Sequence, residues 1–273
     1  MKNRIIYGLI AAVFLVALVA FGSTTLMLAV TTTLSALGYL EYDRLFFTVR
    51  SNKRIFGMVF ITVSTIFLLS LNLMAAMVAL WVSFVAIGVC HVFRSNREGD
   101  FYKITREMAL LATGYFYLVG LFGFLVPIAS LPMGRSLLFL LVLIVFVGDT
   151  AAYFVGKSLG KHRLATLLSP KKSVEGAIGA VLASVVVAGV WLYTLNEHPL
   201  DTHYVLKILG FAPVLSGLAQ LGDLFESMFK RSQLQKDSGN FLPGHGGVLD
   251  RVDGLALVSP VYYFFILFIL GRV

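Results

Sequence analysis

Cysteine and charge are what this chain has least of. The single cysteine, Cys90, excludes an internal disulfide and, having no ligand companion, a thiolate metal site. Its position at the end of an apolar run reads as a buried space-filler. Charged residues make up only 13% of 273, about half the share usual in a soluble domain. The acidic ones are scarcest, 14 against 22 Lys and Arg, for a formal net charge of +8. So little charge excludes an intrinsically disordered chain. It also excludes a soluble nucleic-acid-binding domain, because no large basic face is available. Internal repeats, low-complexity tracts and soluble linkers are absent as well.

Apolar sequence fills the space. Hydrophobic residues reach 58% and the mean hydropathy is +0.88. Nine stretches, near 5–22, 25–41, 55–72, 74–93, 107–127, 136–156, 176–195, 206–226 and 255–271, have about the length a helix needs to cross a bilayer. Runs such as Leu137 to Phe146 do not alternate in polarity as barrel strands do. The expected fold is therefore all-α, a polytopic integral membrane protein of about nine transmembrane helices. The first stretch is longer than a signal-peptide core and Phe21-Gly22-Ser23 is a poor cleavage site, which predicts a retained helix.

Basic residues alternate between loops. Lys2 and Arg4, then Arg44, Arg50, Lys53 and Arg54, then Arg94, Arg97, Lys103 and Arg106 mark one side. Lys157, Lys161, Arg163, Lys171 and Lys172, and finally Lys230, Arg231, Lys236 and Arg251 continue it, while only Arg135, Lys207 and Arg272 fall opposite. The positive-inside rule then places the N-terminus in the cytoplasm and the C-terminus outside. The excess positive charge reads as a topology signal with some attraction for anionic headgroups.

Chemistry concentrates in the second half. Residues 1–135 read as generic membrane helices, and residues 136–273 as a membrane domain with two long cytoplasmic loops dense in Gly, Lys, Ser, Asp and His. The carboxylates of the first half, Glu41, Asp43, Glu98, Asp100 and Glu107, read as solvated interfacial charge. Asp149, by contrast, closes a long apolar run, where an ionisable group is costly and usually functional. Lys171 and Lys172 precede Ser173, an expected N-cap, with Glu175 in the first turn behind it. Lysines beside a helix N-terminus suit an anionic ligand.

Asp223, Glu226, Ser227 and Lys230 share one helix face by their i, i+3, i+4, i+7 spacing. The stretch from Lys236 to Gly254 holds Gly239, Gly244, Gly246, Gly247 and Gly254, a backbone able to approach phosphate oxygens. Asp250 and Asp253 then stand at i, i+3 where the last helix begins. With Asp223 they are expected to converge on a hard cation such as Mg²⁺, which prefers carboxylate, phosphate and water oxygens.

The run Ser227-x-Phe229-Lys230-Arg231, four residues, Lys236-Asp237-x-Gly239, then Leu242-Pro243-x-His245-Gly246-Gly247-Val248-x-Asp250-Arg251-Val252-Asp253 resembles the signature of the phosphatidate cytidylyltransferase (CDP-diacylglycerol synthase) family. Gly148-Asp149-Thr150-Ala151-Ala152-Tyr153 and Ser169-Pro170-Lys171-Lys172-Ser173-Val174-Glu175-Gly176 are similar to further stretches of it. There the family usually carries Thr followed by an aromatic in place of Ser173-Val174. The resemblance covers roughly residues 148–254.

It implies a nucleotidyltransferase of phospholipid biosynthesis that converts CTP and phosphatidate into CDP-diacylglycerol and pyrophosphate with Mg²⁺, a second cation being compatible. The setting implied is the bacterial inner membrane, with the active site at the cytoplasmic face. Under that resemblance Asp223, Asp250 and Asp253 hold metal, with Glu226 or Asp149 as extra ligand or support. Lys230, Arg231 and Arg251 contact phosphates, and His245 binds phosphate, protonates the leaving group or holds the loop. Lys171, Lys172, Ser173 and Glu175 take the CTP side. Ser227, Lys236, Gly246 and Gly247 complete the nucleotide contacts, residues 1–135 frame the lipid groove, and residues 136–273 form the catalytic membrane domain with its two cytoplasmic active-site loops.

Two rival classes share parts of this pattern. A transporter would use Asp149, Asp223 and Glu226 as ion sites, but it should place them at mid-membrane within an inverted repeat. A CTP-dependent polyprenol kinase would attack the γ- rather than the α-phosphorus. The Asp-Gly-x-x-Ala-Arg signature of alcohol phosphotransferases is absent. Partners are expected to be CTP, phosphatidate and the bilayer, without nucleic acid. Small residues at Gly176-Ala177-Ile178-Gly179-Ala180 allow either packing within the chain or a homodimer.

Overall fold

The structure, a computed structural model, describes residues 17–19, 21–47, 51–98, 100–194, 202–235, 238–239 and 246–270. Polar caps start the first helices. The Ser23 hydroxyl accepts from the Leu26 N–H at 3.1 Å to open α1 (Thr24–Phe46), and Ser51 accepts from Arg54 at 3.4 Å to open α2 (Asn52–Leu71). Asn72 accepts from Met74 at 2.8 Å at the head of α3 (Leu73–Glu98), and Asp100 from Lys103 at 3.1 Å at the head of α4 (Phe101–Tyr115).

α4 runs on through a π-helical segment, Phe116–Leu121, and a 3₁₀ turn, Phe122–Phe124, into α5 (Leu125–Ser130). Carbonyls loosened by this irregular geometry must find partners inside the protein, since hydrocarbon offers none. The Ser35 hydroxyl donates to Leu118 O at 3.2 Å and the Ser259 hydroxyl to Leu121 O at 2.5 Å. Within the regular part of α4, Leu110 O accepts a further bond from the Tyr42 hydroxyl at 2.9 Å.

α6 (Gly134–Leu159) leads into a two-stranded antiparallel hairpin, β1 (Arg163–Ala165) and β2 (Ser169–Ser173). Then come α7 (Val174–Thr194), α8 (Thr202–Ser232) and α9 (Leu249–Phe264), the last continuing as a π-helical turn, Phe265–Ile269. α6 packs most extensively on α7, and α8 on both α7 and α9. Glycine makes the first contact close: a Cβ at Gly176 would stand 2.7 Å from the Ala152 carbonyl oxygen, and one at Gly179 would meet Val155. The small-residue face of α7 is thus used within the chain at these two positions.

Six helical segments among the described residues are long and apolar enough to cross a membrane: Leu73–Arg94, Phe101–Ser130, Gly134–Leu159, Val174–Thr194, Thr202–Ser232 and Leu249–Ile269. They coincide with the last six of the nine stretches. The first stretch lies almost wholly outside the described residues. The second is helical as α1 but is not among the six, and the third yields an apolar helix only over Gly57–Leu71. The architecture is an all-α polytopic membrane protein, with one addition, the hairpin, where a plain loop was expected.

Two carboxylates depart from their expected place in solvated loops. Glu41 and Asp43 lie inside α1 and are buried. Asp43 binds Arg54 of α2 through Nε at 2.8 Å and Nη2 at 3.3 Å. Glu107 pairs with Arg94, and Cys90 is exposed rather than buried. Removing one partner of a buried pair leaves the other uncompensated. Asp43→Ala is therefore expected to cost about 3 kcal/mol of stability, read as a lower melting temperature in detergent, with Asp43→Ala/Arg54→Met recovering most of it.

Candidate active site

Five pieces of chain meet at one end of the bundle: the C-terminal end of α6, the hairpin, the start of α7, the last turns of α8 and the first turn of α9. They enclose a cavity of about 740 Å³. Six cations line it, Lys157, Arg163, Lys171, Lys172, Lys230 and Arg251, together with four carboxylates, Asp149, Asp223, Asp250 and Asp253. Such a mixed wall suits a polyanion bound together with a cation.

The acidic part is specific. Asp223, Glu226 and Asp253 each offer one carboxylate oxygen, and these oxygens all lie within 4.8 Å of one another. The spacing on α8 puts Glu226 one turn past Asp223, and Asp253 arrives from α9 because Gly222 leaves no room for a Cβ against the Asp253 carbonyl. Glu226 is only 1% exposed, and its carboxylate faces the Lys230 ammonium and accepts no hydrogen bond of good geometry. Lys230 faces Oε2, which leaves Oε1 buried with neither hydrogen bond nor ion pair among the described residues, and that is expensive. A hard divalent cation among three carboxylates would satisfy it, so the donor set fits Mg²⁺.

Around this cluster the cations are already committed. Lys172 of β2 pairs with Asp223. Lys230 stands between Glu226 and Asp250, with its Nζ 2.5 Å from Asp250 Oδ1. The Ser227 hydroxyl donates to Asp223 at 3.4 Å. On α7, Ser173 performs the expected cap, accepting from the Gly176 N–H at 3.1 Å while its own residue lines the cavity.

Asp250 departs from the expected convergence. Its carboxylate accepts from the Gly247 N–H at 2.7 Å, the Ser238 N–H at 3.0 Å and the Ser238 hydroxyl at 2.9 Å, besides Lys230. It therefore laces the glycine loop to α8, and Glu226 takes its place in the acidic cluster. Gly246 adopts φ +83°, and a Cβ there would stand 2.5 Å from Asp250 Oδ2, so both conformation and space call for glycine.

Two more expected contacts point elsewhere. Glu175 accepts from the His162 N–H at 3.2 Å and lies 2.7 Å from His162 Nδ1, bracing the hairpin outside the cavity lining. Arg231 donates to the carbonyls of Leu168 at 3.4 Å and Gln235 at 3.1 Å. Asp149 and Lys171 do line the cavity, and Arg251 lines it from α9. Lys236 and His245 lie outside the described residues.

Sequence reasoning missed three contributors. Gln220 lines the cavity one turn before Asp223 and donates to Ala177 O at 3.4 Å; its i, i+3 spacing from Asp223 was the available signal. Arg163 enters from β1. The third is Glu41, which accepts from the Leu249 N–H at 3.0 Å and from the Ser238 hydroxyl at 3.3 Å. Glu41 thereby satisfies an N–H at the head of α9 from 208 residues away.

Comparison with known proteins agrees with this picture. The model of the cytidylyltransferase family matches residues 2–269. A phosphatidate cytidylyltransferase of Bacillus subtilis (strain 168) is 40% identical over 159 residues, 58% of this chain and 58% of that protein. One from Haemophilus influenzae is 38% identical over 137 residues, 50% of this chain and 48% of its own length. One from Thermotoga maritima is 36% identical over 175 residues, 63% of this chain and 64% of that protein. Each matched stretch covers less than two thirds of the relative.

Loss of the Glu41 carboxylate should loosen the loop without emptying the acidic cluster. A charge-assisted hydrogen bond contributes about 1.5–3 kcal/mol. Glu41→Ala is therefore expected to speed amide exchange at the start of α9 roughly tenfold or more, measured by mass spectrometry, while peptides from the middle of α7 stay unchanged.

Proposed function

The chain belongs to the cytidylyltransferase family, and on that premise we propose that it is a phosphatidate cytidylyltransferase, joining CMP from CTP to phosphatidate and releasing pyrophosphate. The observation that carries the reading is the Asp223–Glu226–Asp253 cluster at the wall of a cavity edged by six Lys and Arg side chains. The names of the relatives from Bacillus subtilis, Haemophilus influenzae and Thermotoga maritima agree with it.

The chemistry asks for little acid–base power. A phosphatidate phosphate oxygen attacks the α-phosphorus of CTP, the new P–O bond forms, and the bond to the β-phosphate oxygen breaks as pyrophosphate leaves in line. The nucleophile is already an anion near neutral pH, since the second pKa of a phosphomonoester is about 6. The obstacle is repulsion between two anions, so positioning and charge neutralisation dominate.

Lys171, Lys172 and Arg163 present cations from the hairpin side, and Arg251 presents one from α9. Lys230, fixed between two carboxylates, holds its charge beside the cluster with little freedom to move. Asp223, Glu226 and Asp253 would hold Mg²⁺, and Asp149 stands on the same cavity wall. When bound, the ion supplies charge neutralisation at phosphate oxygens. Asp250 and Glu41 are positioning residues, acting through the glycine loop. We place the site at the cytoplasmic face of a bacterial inner membrane, because of the 22 Lys and Arg only Arg135, Lys207 and Arg272 fall in loops of the opposite side.

The test uses full-length protein in detergent with phosphatidate, Mg²⁺ and CTP labelled at the α-phosphorus. Label should enter the lipid fraction with equimolar pyrophosphate. Asp253→Asn and Glu226→Gln should each lower kcat by about 10²–10³-fold, and chelation should abolish transfer. Release of CDP in place of pyrophosphate would replace this reading with a kinase.

A further inference from the structure

A second cavity, of about 920 Å³, opens at the same end of the bundle between α2, α3 and α4, beside the last residues of α1. It shares no lining residue with the active-site cavity. An aromatic wall stands between them. Phe46, which lines the second cavity, packs edge-on to Phe229 of α8 at 5.8 Å, and Tyr117 and Tyr42 pack edge-on to the same ring at 5.6 and 5.9 Å.

Its chemistry is divided. The walls are apolar, with Met58, Ile61, Ile87 and Leu111 among them. The mouth carries Arg54, Arg94, Lys103 and Arg106 against one carboxylate, Glu107. Arg54 is held in place: Asp43 binds its Nε at 2.8 Å, and its guanidinium lies 4.1 Å from the Phe47 ring centroid. Arg94 is held by Glu107. Lys103 and Arg106 are exposed one turn apart on α4. The cavity interior is open, since a Cβ added at Gly57 would meet nothing within 4 Å.

A soluble anion would match the mouth but leave the apolar walls unused. A zwitterionic lipid would match the walls but bring its own cation against the exposed Lys103 and Arg106, the positive charge left over once Asp43 is paired with Arg54 and Glu107 with Arg94. We propose that this cavity binds an anionic phospholipid of the adjacent leaflet, phosphate at the Arg54–Arg94–Lys103–Arg106 mouth and acyl chain along the α2–α3 wall, as a lipid site separate from the reaction centre. The charge excess supplies the selectivity and the hydrocarbon wall the preference for lipid over free phosphate.

The chain supplies its own reporter. Cys90 lines this cavity, is exposed and is the sole cysteine. The full chain would be placed in phosphatidylcholine nanodiscs with or without phosphatidylglycerol, and Cys90 alkylation by uncharged N-ethylmaleimide followed. Lipid carried through detergent extraction would be counted by native mass spectrometry.

Phosphatidylglycerol should slow alkylation and be retained over phosphatidylcholine. Lys103→Gln/Arg106→Gln should cut that preference about tenfold or more. Gly57→Trp, which fills the open space, should lose the retained lipid while CMP transfer stays within about twofold. Both variants must elute as single symmetric peaks, and if either does not, Arg106→Gln alone is read by the same two assays. Equal retention of the two lipids, or undiminished phosphatidylglycerol retention in the charge variant, would overturn the proposal. Protection of Cys90 by glycerol phosphate as strong as by the lipid would overturn its lipid part.

Discussion

Everything at the working end hangs on how Lys230 is held. Its ammonium lies between Glu226 on its own helix and Asp250 on the next, so one charge ties α8 to α9. Asp250 in turn gathers the Gly247 and Ser238 N–H groups, which shapes the glycine loop, and Glu41 takes the Leu249 N–H beneath it. None of these groups could be left alone at the edge of a membrane, where an unpaired charge or an unfilled amide is costly. The result is a chain of mutually required pairs running from α1 through the loop to α8. Asp223, Glu226 and Asp253 come together beside it.

That arrangement leaves a surplus of negative charge in one place and of positive charge around it. Three carboxylates share a small volume, with Lys172 paired to Asp223 and Lys230 to Glu226. Lys157, Arg163, Lys171 and Arg251 also line the cavity and add positive charge for an anion. A site so divided would suit the two phosphate groups of the proposed reaction, which otherwise repel. Preorganised charges of this kind need no reorganisation when charge shifts between oxygens. The π-helical stretch after α4 belongs to the same economy of partners, with Ser35 and Ser259 reaching over to its carbonyls.

Much of this was readable from local pattern. The last six apolar stretches coincide with the six long helices because hydropathy over a bilayer-length window is a local property. Ser173 as a cap, and the polar stripe of Asp223, Glu226, Ser227 and Lys230, also follow from spacing along one helix. What escaped the sequence depends on contacts between distant elements. Glu41 looked like loop charge beside Arg44, yet it is buried against residues some 200 positions on. Asp250 and Asp253 had equal claims on a cation until the loop's N–H groups took Asp250. Cys90, expected inside, is exposed on a cavity wall because α3 turns that face outward.

The central claim is that Asp223, Glu226 and Asp253 form one divalent-cation site. Electron paramagnetic resonance of Mn²⁺ titrated into the purified full chain in detergent, without nucleotide or lipid substrate, tests it without relying on turnover. The account predicts one bound Mn²⁺ per chain that Mg²⁺ displaces, weakened at least tenfold in Asp253→Asn and unchanged in Asp250→Asn. Mn²⁺ binding that is equal in wild type and Asp253→Asn, or that is lost only in Asp250→Asn, would contradict it.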